Sequence, residues 1–212
     1  MKITLEKSSL KNLLFYFAYS IYLGYNLLDT SFYSKNINVF GNLLIIIVLA
    51  MLIFKEVIDF KVNSRDLILF IILAVISGLF YIYMGSNYAV LPVFIYSARN
   101  VNTTTIVKIS YRISLVLLIF IIVSSYLGWI TNYITYDGGR EREYVGFRYS
   151  LFGPAILCNI IFLKVYLEKD NIKWRTLMFL IIGNYALYEF TDSRLTFGLG
   201  MILLILTILI KF

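Results

Sequence analysis

Apolar residues in this chain come in long, unbroken runs, without the alternation of a half-buried strand. Eight runs stand out: Leu13–Leu28, Val39–Phe54, Leu67–Met84, Tyr88–Ala98, Ile113–Ile130, Ser150–Leu167, Trp174–Phe190 and Leu195–Ile210. A helix needs about 20 apolar residues to cross the hydrocarbon core, with a range of about 17 to 25. Seven runs therefore read as membrane-crossing helices, several short enough to end among the headgroups or to thin the bilayer. Tyr88–Ala98 is too short for an ordinary span and contains Pro92, so it reads as a broken or re-entrant helix shielded by neighbouring protein. Lipid-facing β-barrel strands would alternate, and these runs do not. The expected fold class is all-α: a polytopic transmembrane helical bundle, one domain over residues 1–212, with about eight membrane segments.

The polar positions between the runs set an orientation. With the N-terminus in the cytoplasm, 14 of the 19 basic residues fall on the cytoplasmic side, while Lys35, Arg140, Arg142, Arg148 and Arg194 fall outside. The 12 acidic residues divide evenly. A bias in Lys and Arg without one in Asp and Glu is the positive-inside pattern. It predicts a multi-pass protein of a bacterial cytoplasmic membrane, with its N-terminus inside. The first run has basic flanks but no small-residue cleavage site after it, so it reads as a retained helix and not a signal peptide.

Composition narrows the function classes. The chain is 60% hydrophobic and only 15% charged, where a soluble domain is about a quarter charged. The lipid bilayer is therefore its expected surrounding. The net charge of +7 is explained by the inside bias, and no nucleic-acid partner is expected. There is no histidine, which removes the commonest metal ligand and the commonest general base near neutral pH, so no metal site is expected. Cys158 is the single cysteine and reads as a buried, inert thiol. Phosphate-cradling glycine motifs are absent, which disfavours an ATP-driven pump.

The outer cations carry the candidate chemistry. Ten of the 14 cytoplasmic bases are Lys, whereas four of the five outer ones are Arg. Arginine presents a planar fork of donors that binds phosphate or carboxylate in pairs. One group lies in the loop after the fifth run, where Asp137-Gly138-Gly139 signals a turn and Arg140, Glu141, Arg142 and Glu143 alternate in sign. This stretch reads either as a solvated loop whose charges pair with each other or as an anion site. Arg148 stands before the next helix, whose N-terminus also favours anions, with Pro154 in its first turn. A second group lies at the outer end of the seventh run: Tyr185, Tyr188, Glu189, Thr191, Asp192, Ser193 and Arg194. It reads either as an interfacial cap with charges among headgroups or as the second half of the site, with Arg194 the local partner of Asp192 or Glu189.

Two motifs in fixed order, Arg142-Glu143-Tyr144-Val145-Gly146-Phe147 and Thr191-Asp192-Ser193-Arg194, resemble the polysaccharide polymerase and O-antigen ligase superfamily, in the form found in capsule and exopolysaccharide clusters. The resemblance implies a glycosyltransferase that polymerises undecaprenyl-diphosphate-linked oligosaccharides at the outer face of the membrane, without cofactor, nucleotide sugar or metal. It implies that Arg142 and Arg194 contact the substrate diphosphate. Arg140 and Arg148 are added to that anion site by their position. Arg142 and Arg194 are the expected catalytic groups, with Glu189, Asp192 and Glu143 as candidates to activate the acceptor hydroxyl. Where such enzymes carry a His-Pro-Asn-like stretch after Gly-Phe, this chain has Arg148-Tyr149-Ser150. Family members are longer, with a large outer loop and further helices, so the chain is expected to represent an N-terminal part or an inactive remnant.

Two other classes compete. A lipid-linked sugar flippase or small-solute transporter would place polar groups near the midplane, where Asn159 and Asn184 are nearly alone. A non-catalytic membrane partner of other polysaccharide assembly proteins fits the short length.

Overall fold

The computed structural model describes residues 2–59, 64–137 and 139–211. Lys61 and Gly138, which the sequence places in a cytoplasmic loop and in a turn, lie outside them. The described elements are α1 (Lys2–Asp29), α2 (Ser34–Asp59), α3 (Ser64–Met84), α4 (Ser86–Ala89), α5 (Leu91–Ser97), α6 (Thr103–Tyr126), β1 (Ile134–Asp137), β2 (Arg140–Glu143), α7 (Phe152–Glu168), α8 (Trp174–Thr191) and α9 (Arg194–Lys211). A single 3-10 turn at Lys169–Asn171 joins α7 to α8.

The architecture is helical, and among the described residues four helices are long and apolar enough to cross a membrane: Ser34–Ile58, Leu67–Met84, Thr103–Tyr126 and Arg194–Lys211. The other expected segments differ for identifiable reasons. Tyrosine, serine and asparagine interrupt the apolar run of α1, α7 has only 17 residues, and α8 carries Arg175, Asn184 and Glu189 within its 18. The stretch expected as one short segment at Tyr88–Ala98 is two short helices, α4 and α5, with Pro92 in the first turn of the second.

The segment expected over Ile113–Ile130 is displaced toward the N-terminus. Asn102 Oδ1 accepts the Thr104 N–H at 2.9 Å and starts α6 about three turns earlier, so the mixed polar and apolar residues 103–112 are helical. At the other end Gly128 adopts φ +76 and its N–H bonds to the Ser125 carbonyl, a left-handed stop that glycine adopts at no steric cost.

The chain forms two compact units. The first comprises the chain up to Tyr25 and Asn38–Ile106. Its core holds Phe15, Ala18, Val48, Leu52, Val90 and Phe94, with Phe94 edge-on to Phe15 at 5.9 Å. Lys55 is buried in this unit. It pairs with Glu56 at 2.8 Å and donates to the Ser97 carbonyl at 2.6 Å, while Glu56 also meets Arg99 at 3.3 Å.

The second unit comprises Asn26–Ile37 and Val107–Phe212. Helices α7, α8 and α9 pack on one another around Leu157, Ile160, Ile161, Leu177, Leu187 and Leu204. The α1–α2 turn is held in this unit by main-chain bonds: Phe32 N–H to the Gly146 carbonyl at 3.1 Å and Arg148 N–H to the Thr30 carbonyl at 2.9 Å. The residues expected as a loop between the fifth and sixth segments form an antiparallel hairpin, with Thr135 opposite Arg142 and Tyr136 opposite Glu141. Gly139 in its connection has φ +77, as two-residue hairpin turns require.

Candidate anion site at the hairpin and the α8–α9 corner

Arg140-Glu141-Arg142-Glu143 is a strand, and side chains on a strand alternate between faces. Alternation in sign therefore becomes separation of sign. Both arginines share one face and both glutamates the other. The glutamates turn to neutral partners: Tyr136 donates to Glu141 at 3.2 Å, and Tyr126 and Asn132 donate to Glu143 at 3.3 and 3.4 Å. The bond to Glu141 pushes the Tyr136 phenol above its ordinary range. The expected pairing of the loop's charges with each other is thus absent for these residues.

Each residue of Thr191-Asp192-Ser193-Arg194 has a local task. Thr191 closes α8 by donating to the Leu187 carbonyl at 2.6 Å. Asp192 takes φ +45, ψ +37 as the left-handed cap of α8, a conformation Asp tolerates better than most residues. Ser193 precedes the first residue of α9, and its hydroxyl shares a hydrogen bond with Thr196 at 2.5 Å. Arg194 opens α9. The result is a sharp corner with an aspartate at its tip, next to a helix N-terminus.

The hairpin and the corner meet, because β2 packs against α8. Arg194 Nε donates to Asp192 Oδ1 at 3.2 Å. Arg140 Nε lies 3.5 Å from Asp192 Oδ2, an ion-pair distance without hydrogen-bond alignment. Arg142, on the Arg140 face, has its Nε buried and without a hydrogen-bond partner among the described residues. Arg140 and Arg194 are 43% and 61% exposed against 17% for Asp192. Such pairs contribute only about 0–1 kcal/mol each. Their main consequence is electrostatic: two guanidiniums share one carboxylate, and Arg142 lies on the same strand face as Arg140.

The Gly146-Phe147 pair that follows serves packing. Val145 (φ +48) and Gly146 (φ +81) form a tight left-handed turn, closed by the Phe147 N–H on the Tyr144 carbonyl at 2.9 Å. A Cβ on Gly146 would lie 2.8 Å from Ile130 Cδ1 and 3.0 Å from the Ile121 carbonyl oxygen. Phe147 is fully buried, and Gly153 leaves room for its ring. Asn132 is the hinge of this turn: its Oδ1 accepts the Val145 N–H at 2.9 Å while its amide donates to Glu143.

Arg148 is placed differently from the other three arginines. Its guanidinium reaches the Asp29 carbonyl at 3.3 Å and the Asp29 carboxylate at 3.8 Å. Helix α7 begins only at Phe152, so Arg148 precedes its first turn. Glu189 is exposed near the end of α8. Asn184, expected near the midplane, is buried and donates to the Phe197 carbonyl at 3.1 Å. It is a packing residue, seated where Gly200 leaves space.

An apolar groove of about 560 Å³ runs between α6, α7 and α8, from Lys164 and Thr176 at one end to Tyr126, Val145 and Phe190 at the other. Its latter end adjoins the β2–Val145 segment. The groove, Asn132 and Tyr126 have no signature in the sequence, because each depends on contacts between distant segments. No protein-family model, curated protein or solved structure matches the chain.

Proposed function

We propose that this chain acts on undecaprenyl-diphosphate-linked oligosaccharides at the outer face of a bacterial cytoplasmic membrane, in the polymerisation of capsule, exopolysaccharide or O-antigen repeat units. The observation that carries the reading is the charge geometry around Asp192. Arg140 and Arg194 both pair with Asp192, Arg142 shares the strand face of Arg140, and three arginines against one aspartate would suit a diphosphate diester. The buried Arg142 Nε lacks a partner, and a phosphoryl oxygen would supply one. The apolar groove supports the same reading, because an isoprenoid tail is apolar and the groove ends beside the β2–Val145 segment.

The topology that goes with this reading has about eight membrane segments and a cytoplasmic N-terminus, supported by the placement of Lys and Arg. It puts the hairpin and the α8–α9 corner outside. The four apolar helices would be joined by α1, α7 and α8, and by the α4–α5 pair as a broken segment.

The chemistry would be displacement at the anomeric carbon of the donor sugar. The acceptor oxygen forms the new glycosidic bond, and the lipid diphosphate leaves with the bonding electron pair. The arginines stabilise charge developing on that leaving group. Of the candidate bases, Asp192 is held by two arginines and Glu143 by Tyr126 and Asn132. Glu189 is left for the acceptor proton. Arg148, which lies 3.8 Å from the Asp29 carboxylate, is a further candidate to contact the diphosphate.

The second reading, a non-catalytic partner of polysaccharide assembly proteins, is favoured by one observation: Asp192 already pairs with two of the three arginines. Complementation of a polymerase-deleted strain separates the two readings. Long polymer with this chain, abolished by Arg142→Ala or Arg194→Ala at equal membrane abundance, is the expected result. Accumulation of single repeat units with the unaltered chain would leave the partner reading.

A further inference from the structure

The first unit holds a polar pocket at the shared end of α1, α2 and α3, lined by none of the side chains used above. It has a volume of about 280 Å³ and is lined by Tyr25, Asn38, Gly41, Asn42, Met84, Gly85, Asn87 and Tyr88. Its construction is specific. Asn38 and Asn42 are four residues apart on α2 and so share a face. The chain returns to meet them through Gly85 at φ +94, ψ +174, a conformation essentially reserved for glycine. The Tyr22 hydroxyl fixes that return by donating to the Asn87 carbonyl at 2.7 Å. Tyr25 is buried, and its hydroxyl rests against Gly41, where any Cβ would collide with it.

Asn42 lies near the start of the apolar run of one of the four membrane-length helices, and it lines the pocket.

We propose that this pocket binds a neutral, polyhydroxylated group: one sugar ring, presented either as a free saccharide or as a glycolipid headgroup. Among the described residues, no side chain of Asp, Glu, Lys or Arg lines the pocket, so an ion finds no counter-charge there. Amide groups offer both donors and acceptors, which matches hydroxyls that need both. The Tyr25 and Tyr88 rings supply flat apolar faces for the C–H side of a sugar. The volume falls just under the lower end of drug-sized sites, about 300 Å³, and suits a single ring. The assignment does not depend on the diphosphate reading.

The test is saturation-transfer NMR on the full chain in detergent. The probe is the pool of oligosaccharides released by mild acid from the envelope polysaccharide of cells that carry this gene, separated into neutral and acidic fractions. Transfer to ring protons of the neutral fraction is expected, equally for Arg142→Ala, and about tenfold weaker binding for Asn42→Leu, the loss of a neutral hydrogen bond. Asn42→Leu makes α2 more apolar, so membrane insertion is preserved. Gly41→Ala, which displaces Tyr25 without removing a polar group, should weaken binding as well. Repeating the measurement with intact glycolipid in bicelles distinguishes a free saccharide from a headgroup. Three results each overturn the proposal: no transfer from either the neutral fraction or the glycolipid, unchanged binding by Asn42→Leu, or equal binding of the acidic fraction.

Discussion

Arg140 Nε lies 3.5 Å from Asp192 Oδ2, and this contact ties the β-hairpin to the corner between α8 and α9. The aspartate serves as counter-charge to both segments, since Arg194 donates to its other oxygen.

Replacing Asp192 with Asn removes that counter-charge and keeps the shape. Stability should fall by no more than about 1 kcal/mol, because the arginines are half-exposed. The surplus of positive charge rises by one, so inorganic diphosphate should bind the detergent-solubilised chain several-fold to about tenfold more tightly by calorimetry, about 1 kcal/mol. Unchanged affinity would mean that the three arginines do not act as one anion site.

Gly146 and Gly139 both have positive φ, yet their surroundings differ. A Cβ meets nothing within 4 Å at Gly139, while at Gly146 it meets two side chains and a carbonyl oxygen at 3.0 Å or less. Gly139→Ala should cost about 1–2 kcal/mol, the left-handed penalty alone. Gly146→Ala should cost about 1–3 kcal/mol more, by steric overpacking. Thermal unfolding of the two variants side by side measures the difference, and equal losses would refute the tight packing at Gly146.

Lys55 offers a double-mutant test in the first unit. Its ammonium is buried between Glu56 and the Ser97 carbonyl. Breaking a buried pair by removing one partner costs about 3–5 kcal/mol. Lys55→Met should fall at or below the low end of that range, since Glu56 keeps Arg99 at 3.3 Å. Adding Glu56→Gln should recover part of the loss. A double variant as unstable as the sum of the singles would show that the pair is not coupled.

The hairpin carries one pH signature. The hydrogen bond to Glu141 raises the Tyr136 phenol above the ordinary tyrosine value of about 10. A raised folded value means the bond's contribution is fully present below the unfolded value and is lost as pH rises through the folded one. Tyr136 should titrate to higher pH than most other tyrosines by carbon-13 NMR, and Glu141→Gln should bring it back.

The apolar runs located nearly every helix, because runs this long and unbroken are legible residue by residue. Boundaries set by single polar contacts are less legible: the Asn102 side chain caps α6 and moves the helix start about three turns from the edge of the apolar run. The alternating Arg-Glu-Arg-Glu was visible as charge but not as a strand, because four residues become a strand only through their partner, Ile134–Asp137. For the same reason Asn132 gave no signal, since both its contacts depend on the hairpin closing. Thr191 to Arg194 was legible as a short turn between helices, whereas the arrival of Arg140 there was not. The approach of Arg148 to Asp29, the last residue of α1, was not legible either, since the two lie far apart in the chain.

The alternation along β2 makes the hairpin sensitive to length in a way that no substitution reproduces. Strand periodicity is two, so losing one residue between Tyr136 and Arg142 would turn every following side chain to the opposite face. The glutamates would then look toward Asp192 and the arginines away from it. The same residues, in the same order, would make a surface that repels anions, so at this place the count of residues determines polarity as firmly as their identity.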